Sequence, residues 1–209
     1  MCTGGSAAEF DCWKYFVLAP LPKFLRCTSW LHHPNAMASQ GASKGSGPNL
    51  FDLFYDLAAE AESTRNAAAS SLLKLVLASQ QSFQEAARVA QGTDGPVNVS
   101  SDVQYTLGRL IKGLGSGRAA ARPGFATALV ALLREVPAVT TTEVYKAIAE
   151  STRTSGSMKG YEERDAYFGR IFGFLCLHRA GRLSVTNVSE LWRVLQTEGQ
   201  IPHAAMRLA

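Results

Sequence analysis

From Asn49 onward, apolar residues return every three or four positions, and the runs they form are interrupted by glycine and proline rather than by strands. A chain patterned this way buries one stripe of each segment, so it folds as helices packed on helices. Phe51, Phe54, Tyr55 and Ala58 set the first stripe, with Asn49 as its N-cap. A longer helix capped by Ser63 carries Ala69, Leu72, Leu73, Val76 and Phe83, and ends at Gly92, Gly95 and Pro96. A third opens near Ser100–Asp102 with Leu107, Leu110, Ile111 and Leu114 inward. A fourth carries Phe125, Ala128, Leu129, Leu132, Leu133 and Val136 up to Pro137. The fifth, about Thr141 to Thr152, presents Val144, Tyr145 and Ile148. The sixth shows Phe168, Ile171, Phe172 and Leu175, with Gly181 as its C-cap. A seventh opens at Thr186 or Asn187, with Leu191, Val194 and Leu195 inward.

Pairing these helices gives units over about 50–92, 101–136 and 140–181, near the roughly 40–47 residues of HEAT or armadillo repeats. The fold class expected is all-α, a HEAT/armadillo-like α-solenoid or an irregular helical bundle, with Leu110, Ile111, Leu114, Phe125, Leu129, Leu132, Phe172 and Leu175 in one core. Residues 1–47, rich in Gly, Ser, Ala and Pro, show no useful helical period and read as a disordered leader. Met37 opens Met-Ala-Ser-Gln, which resembles a translation start, so a chain begun there is expected to melt at the same temperature. Residues 48–209 are then expected to form the N-terminal helical-repeat domain of a longer protein.

No apolar run reaches the roughly 18–20 residues of a membrane span. Pro20 and Pro22 break the early stretch 15–19, which rules against a signal peptide and a membrane partner. Of the four cysteines, none forms a Cys-x-x-Cys pair, and His32-His33 lacks a ligand partner at metal spacing, so no metal or cofactor is expected. Cys176 reads as a small core residue. His178 suits the end of the sixth helix. Trp192 and Tyr167 could stack on bases, but each sits within an apolar helical pattern that favours core packing.

Net charge is only +4, yet its placement is uneven. No acid lies between Asp102 and Glu135, where Arg109, Lys112, Arg118, Arg122 and Arg134 fall. Residues 170–189 are likewise acid-free, with Arg170, Arg179 and Arg182. Such clusters read either as solvated helix faces or as a footprint for phosphate. Gly113-Leu114-Gly115-Ser116-Gly117-Arg118 lacks the lysine and the preceding strand of a phosphate loop. It reads as a tight turn whose glycines take left-handed conformations. That turn delivers the start of the fourth helix, where Arg118 and Arg122, four apart on one face, could meet an anion. The candidate nucleic-acid-binding residues are therefore Arg109, Lys112, Arg118 and Arg122. The acidic sets Asp52/Asp56 and Glu162/Glu163/Asp165 sit at helix starts, where they complement the dipole, and no catalytic residue is assigned.

Three blocks carry a resemblance. Residues 105–129, from Tyr105-Thr-Leu-Gly-Arg-Leu-Ile-Lys-Gly-Leu through Gly-Arg-Ala-Ala-Ala-Arg, resemble the signature block of the DNA polymerase phi family. Phe51-Asp-Leu-Phe-Tyr-Asp-Leu-Ala with Thr64-Arg65 is similar to the family's opening block, and residues 168–183, which end in Ala-Gly-Arg-Leu, are similar to a later one ending in Ser-Gly-Arg-Leu. The resemblance implies a nuclear, mainly nucleolar, non-enzymatic scaffold in ribosomal RNA gene transcription and ribosome biogenesis. Its implied partners are ribosomal DNA or RNA and transcription or ribosome-assembly proteins, with no small-molecule substrate. The family name also raises DNA-directed DNA polymerase activity, and the repeat pattern alone would fit a general protein-interaction module.

Overall fold

In the computed structural model, residues 49–91 and 99–184 are described, and they form six helices with no strand among them. These are α1 (Leu50–Leu57), α2 (Glu62–Gln91), α3 (Ser101–Leu114), α4 (Ala121–Glu135), α5 (Thr141–Ser151) and α6 (Gly160–Arg179). The leader, the loop 92–98 and the seventh helix expected after residue 185 lie outside the described residues.

Local chemistry sets most boundaries. Asn49 caps α1 by accepting from the Phe51 N–H, and Ser100 caps α3 by accepting from Val103 N–H. Thr140 and Glu143 form a reciprocal capping box on α5: the Thr140 hydroxyl accepts from Glu143 N–H while the Glu143 carboxylate accepts from Thr140 N–H. The Glu143 carboxyl is held below its usual value by the Thr140 backbone bond and then by the Thr140 hydroxyl. At the far end of α6, Gly181 takes φ 72°. Gly181 N–H reaches His178 O and Arg182 N–H reaches Leu177 O, closing a Schellman motif. The expected cap at Ser63 is displaced, since α2 already starts at Glu62.

α4 lies in the middle. It touches α1, α2, α3 and α6, while α3 also packs against α5 and α6. The second helices of the three pairs, α2, α4 and α6, thus form one row, and α3 with α5 a second. One core runs from Leu53 in α1 to Leu177 in α6, with Leu110, Ile111, Leu114, Leu129, Leu132 and Phe172 buried as expected. Phe125, Phe168 and Leu175 pack against it only partly buried.

Three stripe assignments are corrected. On α1 the buried face is Leu53, Phe54 and Leu57, whereas Phe51 and Tyr55 are 55% and 79% exposed. Phe83 and Ile171 are also exposed. Tyr167 is half-buried at the edge of α6, with its hydroxyl donating to Glu163 and its pKa raised first by desolvation. Cys176 is buried, as expected, and burial pushes its thiol pKa well above the usual range. No helix among the described residues is long and apolar enough to cross a membrane.

Candidate nucleic-acid interface

The glycine-rich turn between α3 and α4 works by close approach, not by left-handed backbone. Among the described glycines only Gly181 has positive φ, and Gly115 sits at φ −89°. A Cβ on Gly113 would lie 2.4 Å from the Phe125 ring, and one on Gly169 of α6 would lie 3.1 Å from Gly115 Cα. The missing side chains let α6 press against the turn.

That contact determines where Arg122 goes. Its Nε donates to Ser116 O at 2.8 Å and its Nη2 to Asp165 Oδ1 of α6 at 3.1 Å. The guanidinium lies 4.5 Å from the Phe168 ring centroid, and the residue is 3% exposed. Arg122 therefore does not share an open face with Arg118, which is exposed and precedes α4. It is a buried clasp between the turn and α6. Its acid partner lies 43 residues away in sequence, so a count of acids within 102–135 could not find it. Arg164 also donates to Asp165, at 3.3 Å.

Other arginines of the two acid-free stretches also bond helix-end carbonyls, Arg170 and Arg182 from half-buried positions and Arg134 from an exposed one. Arg182 donates from Nε to Leu133 O and from Nη2 to Val136 O, both at 3.0 Å, across the C-terminal end of α4. Arg170 reaches Thr152 O at 2.8 Å at the end of α5, and Arg134 reaches Arg179 O at 2.6 Å at the end of α6. Arg65 donates to Ala59 O and Glu60 O in the turn between α1 and α2. The last carbonyls of a helix lack intrahelical donors and carry the negative end of its dipole, so a guanidinium satisfies both. Arg179 is partly buried, which lowers its pKa, first by desolvation and then by Arg134. Of the acids near the start of α6, Glu162 acts locally, accepting from Lys159 N–H, while Asp165 reaches Arg122 instead of serving only the helix dipole.

What remains outside is a smaller surface. Arg109 and Lys112 are exposed on α3, and Arg118 is exposed in the turn that follows. Arg109 lies over the Phe54 ring at 5.4 Å from its centroid. Tyr105, one turn before Arg109, meets Phe51 and Phe54 edge-on at 6.4 and 6.3 Å. Asp102, at the start of α3, accepts from the Ser79 hydroxyl of α2 at 2.5 Å. Among the described residues no group of three or more His, Cys, Asp or Glu is arranged to hold a metal ion.

These features define a class: stacked helical pairs whose arginines hold the turns and whose α3 side presents a basic and aromatic face. Residues 105–198 match the model of the DNA polymerase phi family, and over this segment the chain is similar to that family. The chain is 42% identical over 83 residues to the rDNA transcriptional regulator pol5 of Schizosaccharomyces pombe, a match covering 40% of this chain and 9% of that protein. It is 31% identical over 134 residues to human Myb-binding protein 1A, covering 64% of this chain and 9% of that protein, and 30% identical to the mouse protein over the same length. The matched region is thus about a tenth of the relatives' length. No solved structure matches.

Proposed function

We propose that this chain is part of a non-enzymatic regulator of ribosomal RNA gene transcription, acting in the nucleus and nucleolus and in ribosome biogenesis. Its helical stack serves as a scaffold that meets ribosomal DNA or RNA through Arg109, Lys112 and Arg118, alongside transcription or ribosome-assembly proteins. The observation carrying this reading is that these three side chains stay exposed on α3 and the turn after it, while Asp102 bonds Ser79 and Asp165, beside the turn, is paired with Arg122 and Arg164. The names of the relatives, a transcriptional regulator and a binding protein, support the regulatory part.

Phosphate contacts would make binding salt-dependent and nearly indifferent to sequence. The expected result is that Arg109→Glu/Lys112→Glu/Arg118→Glu removes binding to ribosomal gene fragments while leaving the melting temperature unchanged. Each lost phosphate contact should flatten the log-log salt dependence by about 0.9. Undiminished affinity in the well-folded triple variant would refute the surface. A Mg²⁺-dependent primer-extension assay on the pure chain should give no product, and extension would overturn the non-enzymatic reading.

A further inference from the structure

Glycine in a helix interior costs stability relative to other residues, so each one calls for a reason. Gly113, Gly124, Gly169 and Gly173 have one: an added Cβ would come within 2.4, 2.0, 3.1 and 2.7 Å of neighbouring atoms. Gly108, midway along α3, has none among the described residues, because a Cβ there meets nothing within 4 Å. It is exposed, and at 3.6 residues per turn it shares the outer face of α3 with Tyr105 and Lys112. Beside that face stand Phe51 and Tyr55 of α1, which no core contact explains at 55% and 79% exposure, and Tyr105 at 42%. The helical period turns Asp56 away from Tyr105, while Asp52, three residues before Tyr55, borders that ring on the far side.

We propose that this face binds an unpaired nucleic-acid strand, with bases stacking on the Tyr55, Phe51 and Tyr105 rings and phosphates running along Arg109 and Lys112. The inference rests on the basic surface proposed above and names the form of nucleic acid it takes. Among the described residues, the large apolar side chains exposed on this face, Phe51, Tyr55 and Tyr105, are all aromatic. Flat rings beside a row of cations are what sequence-tolerant recognition of single strands uses, because every base offers a π-face. Gly108 leaves a gap between Tyr105 and Lys112 where sugar and phosphate can approach the helix backbone. A protein-docking face would instead be expected to add aliphatic residues around the rings.

The test compares a mixed-sequence 12-nucleotide single strand, as deoxy and as ribo oligomer, with a 24-base-pair duplex by fluorescence anisotropy on the full chain. Tyr55→Ala and Phe51→Ala, both at exposed positions, should each weaken single-strand binding by about five- to a hundred-fold while leaving duplex binding nearly unchanged. Gly108→Gln should raise the melting temperature, since glutamine is the better helix former, and still weaken single-strand binding. Single-strand affinity unaffected by these three substitutions, yet abolished by Arg109→Glu/Lys112→Glu, would overturn the stacking proposal and leave the basic surface standing. Failure of the native chain to bind either form would overturn both. Failure with nucleic acid alongside binding of an acidic amphipathic peptide would also overturn both and mark the face as a protein contact.

Discussion

A guanidinium that is 3% exposed is tolerable only while its partners stay in place, so the structural role of Arg122 can be tested directly. Arg122→Ala should cost about 3–5 kcal/mol, because it removes the donor to the Ser116 carbonyl and the buried charge facing Asp165, leaving that carboxylate to the more exposed Arg164. Arg122→Lys should recover little of this, since an ammonium cannot reach both oxygens in plane while lying over Phe168. Chemical denaturation decides it, and a lysine variant as stable as the native chain would rule out the clasp. Thr140 offers a milder case. Its capping box depresses the Glu143 carboxyl, so the box stabilises the fold above the ordinary value of 4.5 and is lost as pH falls through the depressed folded value. Thr140→Ala should cost about 1 kcal/mol near neutrality. The difference from the native chain should shrink as urea unfolding is repeated at falling pH, and a gap that widens toward acid would contradict the assignment.

Among the elements, α4 shows why close approach governs this fold. A Cβ at Gly124 would sit 2.0 Å from Leu57 O, so Gly124→Ala must push the start of α4 away from the end of α1. A loss of about 1–3 kcal/mol is expected, with about 2–5 kcal/mol for Leu129→Ala in the middle of the same helix. A loss under about 0.5 kcal/mol at Leu129 would contradict its full burial. Several helix ends were legible in the sequence because their chemistry is local: Asn49, Ser100 and Gly181 each act within a few residues, whereas the cap expected at Ser63 was not met. The face of α1 was not. An eight-residue helix satisfies the three-four spacing in two registers, and only packing against α2 and α4 selects Leu53, Phe54 and Leu57 over Phe51 and Tyr55. For the candidate site, the basic character of the α3–α4 turn was readable. Its division into exposed residues and a buried clasp was not, because Asp165, Phe168 and Gly169 reach the turn only through the packing of α6.

At the scale of the molecule, the open matter is whether three stacked pairs behave as separable repeats or as one core. In a repeat array each unit contacts only its neighbours, and stability divides into local terms. Here α3 packs against α2, α4, α5 and α6, α4 reaches from α1 to α6, and the buried cluster is continuous between its ends. Damage at one end should therefore be felt at the other. Ile148, 1% exposed in α5, belongs to the last described pair and also seats Gly173 of α6. Ile148→Ala should cost about 2–5 kcal/mol. If the core is a single cooperative unit, native-state hydrogen exchange should show that same loss in the buried amides of α2 as in those of α6. Protection lost from α5 and α6 alone, with α2 around Leu72 and Val76 unchanged, would mean that the pairs unfold independently. The arginine clasps would then act as hinges between units, because Arg122, Arg134 and Arg182 all bridge α4 or its preceding turn to α6 or the segment after it.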